Sequence, residues 1–294
     1  MSGKLAGKAA VITGAASGIG AGMVERFIAE GAMVLACDIQ DEKGRALEAR
    51  FPGKLAFQHC DVMAEDAIAA AMKEAVARFG RLDIVCNNAG AGGAMSGALD
   101  ADLADWKRTF DLLYFSVVAG TKHAALHMKD HGGGAIINTS SISAVEAGWA
   151  PPCYSTAKIA VAHFSKVAAG ELAPHHIRIN AILPGFIATS IFGASLGMER
   201  NAADQMGAML AQTGGALQPM GRVGRPSDIA GMAAFLASDD GEWITGSHFV
   251  VDGGITIGPR HAWDLTAPSP VMEALGISPE QAEAMRAALT GAKP

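Results

Sequence analysis

The sequence predicts a three-layer α/β fold: a single domain in which a doubly wound, seven-stranded parallel sheet lies between two layers of helices. Three observations carry that prediction. Short β-branched runs alternate along the chain with longer Ala-rich segments of helical period. Several of the runs are apolar almost throughout, as strands buried on both faces are. The first run also ends in a glycine-rich turn that leads at once into a helix.

Residues 9–13, 33–37, 55–60, 82–86, 135–139, 177–183 and 248–251 read as the strands, and 20–30, 64–79, 103–129, 154–173 and 227–237 as helices. Strict alternation makes the strands parallel, because each return to the same edge of the sheet needs a crossover helix. Two stretches fall outside this pattern. Residues 190–224, rich in Gly, Ala and Met, form a variable loop suited to substrate. Residues 255–294 extend beyond the alternating strand–helix domain of residues 1–254. They begin irregularly and then offer a short helix, with Ser278 as N-cap, Pro279 in the first turn and Gln281 as capping-box partner. Trp263, Val271, Met272, Leu275 and Ile277 need burial, so the extension is expected to pack on the core or on a neighbouring subunit.

Composition excludes several classes of function. Half of the 294 residues are apolar and 18% are charged, which gives a sizeable core and rules out disorder for the whole chain. The net charge of −6, with no run of Lys or Arg, argues against a nucleic-acid partner. Cys37, Cys60, Cys86 and Cys153 include no C-x-x-C pair and read as reduced thiols rather than disulfides or a zinc site. Lys4 and Lys8 before an uncharged stretch superficially suggest a signal peptide, but Gly14, Gly18, Gly20 and Gly22 break its apolar centre. No stretch reaches the roughly 18 consecutive apolar residues of a membrane span. The expectation is a soluble, cytoplasmic protein with a small-molecule substrate and no membrane partner.

The glycine turn reads Thr13-Gly14-Ala15-Ala16-Ser17-Gly18-Ile19-Gly20. Glycines there permit a tight turn and let backbone N–H groups approach a pyrophosphate at a helix N-terminus. Asp38 follows eighteen residues after Gly20, at the end of the second strand, with Ile39 next to it. A carboxylate at that point accepts both hydroxyls of an adenosine ribose and repels a 2′-phosphate. With no Arg or Lys in the loop or directly beside Asp38, the cofactor expected is NAD rather than NADP.

With Thr13-Gly14-x-x-x-Gly18-Ile19-Gly20, Asp61-Val62, Asn87-Asn88-Ala89-Gly90, Ser141, Tyr154-x-x-x-Lys158 and Pro184-Gly185 in this order, the chain resembles the short-chain dehydrogenase/reductase family. The resemblance covers residues 4–254. It implies a Rossmann-type sheet assembled as a homotetramer or homodimer. It further implies that Asp61 and Val62 flank the adenine, that Asn88, Ala89 and Gly90 line the cofactor cleft, and that Pro184, Gly185, Ile187 and Thr189 hold the nicotinamide carboxamide. Gly14, Ser17, Gly18, Ile19, Gly20, Asp38, Ile39, Tyr154 and Lys158 complete the expected cofactor contacts.

The catalytic chemistry follows from the residues themselves. Tyr154 and Lys158 are four apart, so on a helix they share a face. A free tyrosine, with a pKa of about 10, is a poor base at neutral pH. A nearby ammonium and the charge of oxidised nicotinamide favour the phenolate; reaching a pKa of about 7 takes roughly 4 kcal/mol. Tyr154 then takes the proton from an alcohol while the hydride passes to the nicotinamide. Ser141, thirteen residues earlier at a strand end, is expected to orient the substrate oxygen.

One position departs from the family. Members carry an asparagine seven residues after an aromatic near the start of the long helix, where it helps the helix kink and holds a water that links the lysine to solvent. Seven from Trp106 is Leu113, and its neighbours Leu112 and Tyr114 do not restore an asparagine. Three readings stand open: another polar group or a backbone carbonyl carries the proton path, Tyr114 takes over part of the role, or the chain is a catalytically silent NAD-binding or scaffolding protein. Retention of Ser141, Tyr154 and Lys158 argues against the last.

No metal is expected. His123, His127 and His131 share a helical face, yet no carboxylate or cysteine stands at ligand spacing beside them. Cys153 reads as a packing thiol. Met198, Met206, Met209 and Met220 either line an adaptable apolar pocket or pack the loop. A loop of this kind without an evident cationic clamp points to a cyclic, aromatic or otherwise bulky apolar substrate.

Overall fold

Every strand of the sheet is parallel to its neighbours, and the computed structural model describes residues 3–264 and 266–290 of the chain. The strands are β1 (Ala9–Thr13), β2 (Met33–Asp38), β3 (Leu55–His59), β4 (Ile84–Asn87), β5 (Gly134–Thr139), β6 (Ile177–Pro184) and β7 (His248–Val251). Their spatial order is β3-β2-β1-β4-β5-β6-β7. Connections after β1 run one way and connections after β4 the other, so a crevice opens at the carboxyl ends of β1 and β4.

The helices are α1 (Gly18–Ala29), α2 (Asp41–Ala49), α3 (Glu65–Phe79), α4 (Leu103–Phe110), α5 (Ser116–Met128), α6 (Pro152–Leu172), α7 (Ile191–Ser195), α8 (Arg200–Thr213), α9 (Pro226–Ala237), α10 (Pro270–Ala274) and α11 (Pro279–Thr290). Strand residues alternate between two cores because successive side chains leave opposite faces. Ile12, Val34, Ile84 and Ile137 meet Phe27 of α1 and Ile229 and Ala233 of α9 on one face. Val11, Leu35, Val85 and Ile136 meet Met72 of α3, Met128 of α5 and Ala168 of α6 on the other. Strand β7 closes the sheet at an edge and stays partly exposed.

Four details differ from the sequence expectation. Helix α2 escapes the pattern because it is short and polar and buries only Gly44 and Leu47. Strand β4 starts at Ile84 rather than at 82. The helix expected over 103–129 is interrupted by a π-helical turn, Asp111–Phe115. Residues 190–224 contain α7 and α8 rather than an irregular loop. In the extension, the capping box forms as read: Ser278 N–H donates to Gln281 Oε1 at 2.8 Å and Gln281 N–H to Ser278 Oγ at 3.3 Å. Val271 and Leu275, which need burial, remain largely exposed on the single chain. No helix among the described residues is long and apolar enough to cross a membrane.

A buried polar ladder ties the second layer together behind the crevice. Asn87 Nδ2 donates to Asn138 Oδ1 at 2.9 Å, Asn138 Nδ2 to Ser165 Oγ at 2.9 Å, and Ser165 Oγ to the Val161 carbonyl at 2.8 Å. All three side chains are shielded from water, so each lost partner leaves an unsatisfied group. Asn138→Ala is expected to cost about 2–4 kcal/mol, read as a lower urea midpoint with an unchanged slope.

Candidate active site

The site is assembled from strand ends. β1 runs into Gly14, whose φ of +62° is open to glycine without strain. A Cβ on Gly14 would lie 2.8 Å from Ala89 Cα, so the turn also needs the missing side chain to let β4's exit loop approach. Helix α1 then starts at Gly18, with Ser17 making no side-chain cap and no acidic residue in the first turn. Its first N–H groups are the unpaired donors common to helix N-termini, which suit an anion. Gly20 lies behind this loop rather than on the cleft: a Cβ there would sit 2.0 Å from the Gly14 carbonyl oxygen. The missing side chain of Gly20 thus lets the helix close onto the turn.

Asp38 ends β2 in a buried position, where Oδ2 accepts the Ala16 N–H and Oδ1 the Gln40 N–H, each at 2.9 Å. Both oxygens keep lone pairs for a further donor. Asp61 turns the chain after β3 by accepting Met63 N–H at 3.0 Å, with Val62 packed beneath. Asn88, at the exit of β4, donates through Nδ2 to the carbonyls of Thr13 at 3.0 Å and Gly14 at 3.3 Å. Thr139 Oγ1, at the end of β5, donates to Asn88 Oδ1 at 3.2 Å.

The same Thr139 holds the lysine. Lys158 lies in α6, which Pro151 and Pro152 start; its Nζ donates to the Thr139 carbonyl at 2.9 Å, and Ser140 Oγ donates to the Lys158 carbonyl at 2.7 Å. Tyr154 lies one turn before Lys158, whose Nζ is 5.7 Å from the Tyr154 ring centre. Ser141 begins a short 3-10 turn, Ile142–Ala144, opposite. Together with Pro184, Gly185, Ile187 and Thr189 beyond β6, these residues line one cleft of about 570 Å³. Gly14, Ser17, Gly18, Ile19, Asp38, Ile39, Asp61, Val62, Asn88, Ala89 and Gly90 line it as well.

The cleft's other end is apolar. Met95, Ile142, Trp149, Phe186, Phe192 and Met198 line it, and the rings of Phe186 and Phe192 meet at a tilt of 36° with centres 4.4 Å apart. Of the four methionines in 190–224, Met198 alone reaches the cleft; Met209 and Met220 are exposed. The sequence does not show this aromatic wall, Thr139 or Lys43, and it places Thr13 in the glycine turn without a role of its own. The wall carries no motif, and Thr13 and Thr139 reveal their roles only when β1, β4 and β5 stand side by side. Lys43 lies one turn into α2, the helix the pattern did not show, and pairs across the cleft's edge with Asp204 of α8 at 2.7 Å.

In the chain alone, burial raises Tyr154 to about 12, and the Ser141 hydroxyl beside it pulls down less than burial pushes up. Burial lowers Lys158 to about 8. In each case burial, the loss of water around the group, disfavours the charged form. Leu113 contributes to that dryness. It is fully buried in the π-helical turn, and the point a Cβ on Gly90 would occupy lies 3.0 Å from Leu113 Cδ2 and 3.9 Å from Lys158 Nζ. The helix is irregular at this position without an asparagine. Tyr114 faces Phe110, Phe115 and Phe164 and does not line the cleft, so it cannot stand in for one.

The residues set aside behave as packing and surface groups. His123 Nε2 meets Glu65 at 2.9 Å, a carboxylate brought from α3 rather than from the same helix, and His131 Nδ1 meets the His127 carbonyl. No cluster of three or more potential metal ligands occurs among the described residues. Cys153 is buried, with its thiol pKa raised by burial.

A buried ammonium with a lowered pKa binds its proton less well folded than unfolded, so its share of stability grows as pH rises from about 8 toward 10.5. Relative to Lys158→Met, the wild type is expected to gain about 2–3 kcal/mol between pH 7 and pH 10, measured by urea unfolding at each pH.

Comparison with known proteins bears on this geometry. A family model described as enoyl-(acyl carrier protein) reductase matches residues 14–256. Momilactone A synthase of Oryza sativa subsp. japonica is 42% identical over 86% of this chain and 92% of its own. A 3-alpha-(or 20-beta)-hydroxysteroid dehydrogenase of Mycobacterium tuberculosis is 36% identical over 89% and 94%. The crystal structure of a short-chain type dehydrogenase/reductase from Mycobacterium marinum superposes with a TM-score of 0.76 at 32% identity, covering 86% of this chain and 97% of that one. A seven-stranded parallel sheet with this strand order, together with relatives that match most of its length, makes the chain a member of the short-chain dehydrogenase/reductase family.

Proposed function

We propose that the protein is an NAD-dependent dehydrogenase that interconverts a secondary alcohol and a ketone on a bulky, apolar ring system. The observation that carries the reading is the arrangement of the cleft: Ser141, Tyr154 and Lys158 at its waist, a glycine turn and helix N-terminus at one end, and an aromatic wall at the other.

The residues present fit a nicotinamide dinucleotide. The glycine turn brings the uncapped start of α1, which suits a pyrophosphate, to the cleft, and Asp38 lines the cleft with lone pairs to spare. When bound, an oxidised nicotinamide supplies the hydride acceptor and a positive charge beside Tyr154. Asp38 favours NAD because its carboxylate repels a 2′-phosphate, and the cation nearest to it in sequence, Lys43, is engaged by Asp204.

The chain's own part in the reaction is to position the alcohol and move its proton. Ser141 orients the substrate oxygen and Tyr154 takes its proton in oxidation or returns one in reduction. Lys158, fixed to the Thr139 carbonyl, adds a positive charge that, together with that of an oxidised nicotinamide, would stabilise the phenolate of Tyr154. Phe186, Phe192, Trp149 and Met198 bury the apolar body of the substrate. Relatives named for hydroxysteroids and borneol, both ring alcohols, support that substrate class. The alternative, a silent cofactor-binding protein, rests on Leu113 alone; the proposed proton path runs through other polar groups instead.

Tyr154→Phe is expected to lower kcat by about 10²–10⁴-fold in NADH formation from a panel of steroid, terpenoid and other cyclic alcohols, with NAD binding retained. Asp38→Ala is expected to shift the kcat/KM ratio of NAD to NADP by about tenfold or more toward NADP, near 1.4 kcal/mol. No turnover of any panel alcohol by the wild type, with NAD still bound, would favour the silent reading.

A homodimer or homotetramer in the cytoplasm completes the proposal. Phe115, Leu126, Val167, Trp243 and Val250 are exposed apolar side chains that a second copy would cover, as are Val271 and Leu275 of the extension. Deleting residues 255–294 is expected to change the oligomer's size in light scattering or to raise the KM for substrate; a deletion that alters neither refutes the role given to the extension.

A further inference from the structure

We propose that Ser143 is a positioning residue of the reaction, holding the Ser141 hydroxyl so that its proton can only be given into the cleft. The inference rests on the dehydrogenase reading above for its consequence in turnover, but its geometry is independent of substrate.

Ser141 begins the turn Ile142–Ala144, and its Oγ accepts two hydrogen bonds from one residue: the Ser143 N–H at 3.2 Å and the Ser143 hydroxyl at 3.0 Å. A serine hydroxyl has one proton to give and two lone pairs to receive with. Both lone pairs are therefore occupied on the Ser143 side, and only the proton remains for the cleft. Ser143 itself is 5% exposed and does not line the cleft, so it cannot touch a substrate and acts through Ser141. Its hydroxyl makes no other hydrogen bond among the described residues, which leaves its own proton one destination. The adjacent Ser140 is committed to the Lys158 carbonyl and cannot compete.

Polarity is what this arrangement decides. The oxygens that Ser141 meets in the cleft, a carbonyl or alkoxide of substrate and the phenolate of Tyr154, are acceptors in the charged or reactive state, and hydrogen bonds to an ionised acceptor are the strong ones. A Ser141 free to rotate spends part of its time offering a lone pair instead, which repels those oxygens. The hydroxyl of Ser141 is also the group that opposes the effect of burial on Tyr154. The charged groups lining the cleft are Lys158 on Tyr154's own helix and, toward the glycine turn, Asp38, Lys43, Asp61, Arg200 and Asp204. None of these is altered by a change at Ser143.

The test uses the whole chain saturated with NAD. It has two tyrosines, and Tyr114 lies outside the cleft, so in a Tyr114→Phe background near-UV tyrosinate absorbance reports Tyr154 alone. Ser143→Ala is expected to move that titration upward by about half to one pH unit, a three- to tenfold weaker ionisation. With borneol as substrate it is expected to lower kcat by the same three- to tenfold while KM stays within twofold. Ser143→Thr, which keeps the hydroxyl, restores both to within about twofold. An unshifted titration in Ser143→Ala overturns the inference, as does a loss of kcat that Ser143→Thr fails to restore. If the wild type oxidises no alcohol, the dehydrogenase reading fails, and the titration still decides the role of Ser143.

Discussion

The cleft depends on one buried contact, the hydrogen bond from the Lys158 ammonium to the Thr139 carbonyl at the end of β5. An ammonium out of water is costly unless it is partnered, and the only partners here are what the strand ends present. Thr139 is itself tied to Asn88, and Asn88 to Thr13 and Gly14, so the lysine, the glycine turn and the exit of β4 share a single hydrogen-bonded junction. Thr13 reinforces it by accepting the N–H groups of Asn88 and Ala89 at 3.0 and 3.1 Å. The register of β1 on β4 and of β4 on β5 brings these residues together. The ladder Asn87–Asn138–Ser165 holds the same strands and α6 one residue deeper.

That junction also explains why Leu113 is compatible with an intact site. The π-helical turn gives the long helix its irregularity through the backbone, and Ser116 Oγ, donating to the Leu112 carbonyl at 2.5 Å, takes up one of the acceptors released there. The leucine lies beside Gly90 near Lys158, and burial, the loss of water there, lowers the lysine's pKa. The same dryness raises Tyr154. Burial thus disfavours the phenolate of Tyr154 while Lys158 remains an ammonium at neutral pH, and a charge brought in where water is scarce acts at low screening.

Much of the architecture was legible in the chain because its signals are local. Apolar runs such as Ala9–Thr13 and Ile177–Pro184 are buried on both faces and show it in their composition. Helix α2 was not legible, since a nine-residue polar helix with two buried positions has no apolar stripe to read. The close approach of Gly20 to the Gly14 carbonyl was not legible either, because a glycine looks the same in sequence whether it faces a ligand or the back of a turn. Tyr114 was considered for the cleft because it neighbours Leu113, yet a π-helical turn sets its own side-chain directions and aims it at Phe110, Phe115 and Phe164.

By itself the sequence determined the alternation of strand and helix, the glycine turn, the acid that ends β2 and the four-residue spacing of Tyr154 and Lys158, since each is set by periodicity or by neighbours along the chain. The tertiary structure alone decided what lies around them. The pairing of Lys43 with Asp204, the aromatic wall, the upward push on Tyr154 and the closed hydroxyl pair of Ser141 and Ser143 all depend on which atoms are near and how much water is gone. Those are properties of distance and burial, and they exist only once distant segments have packed.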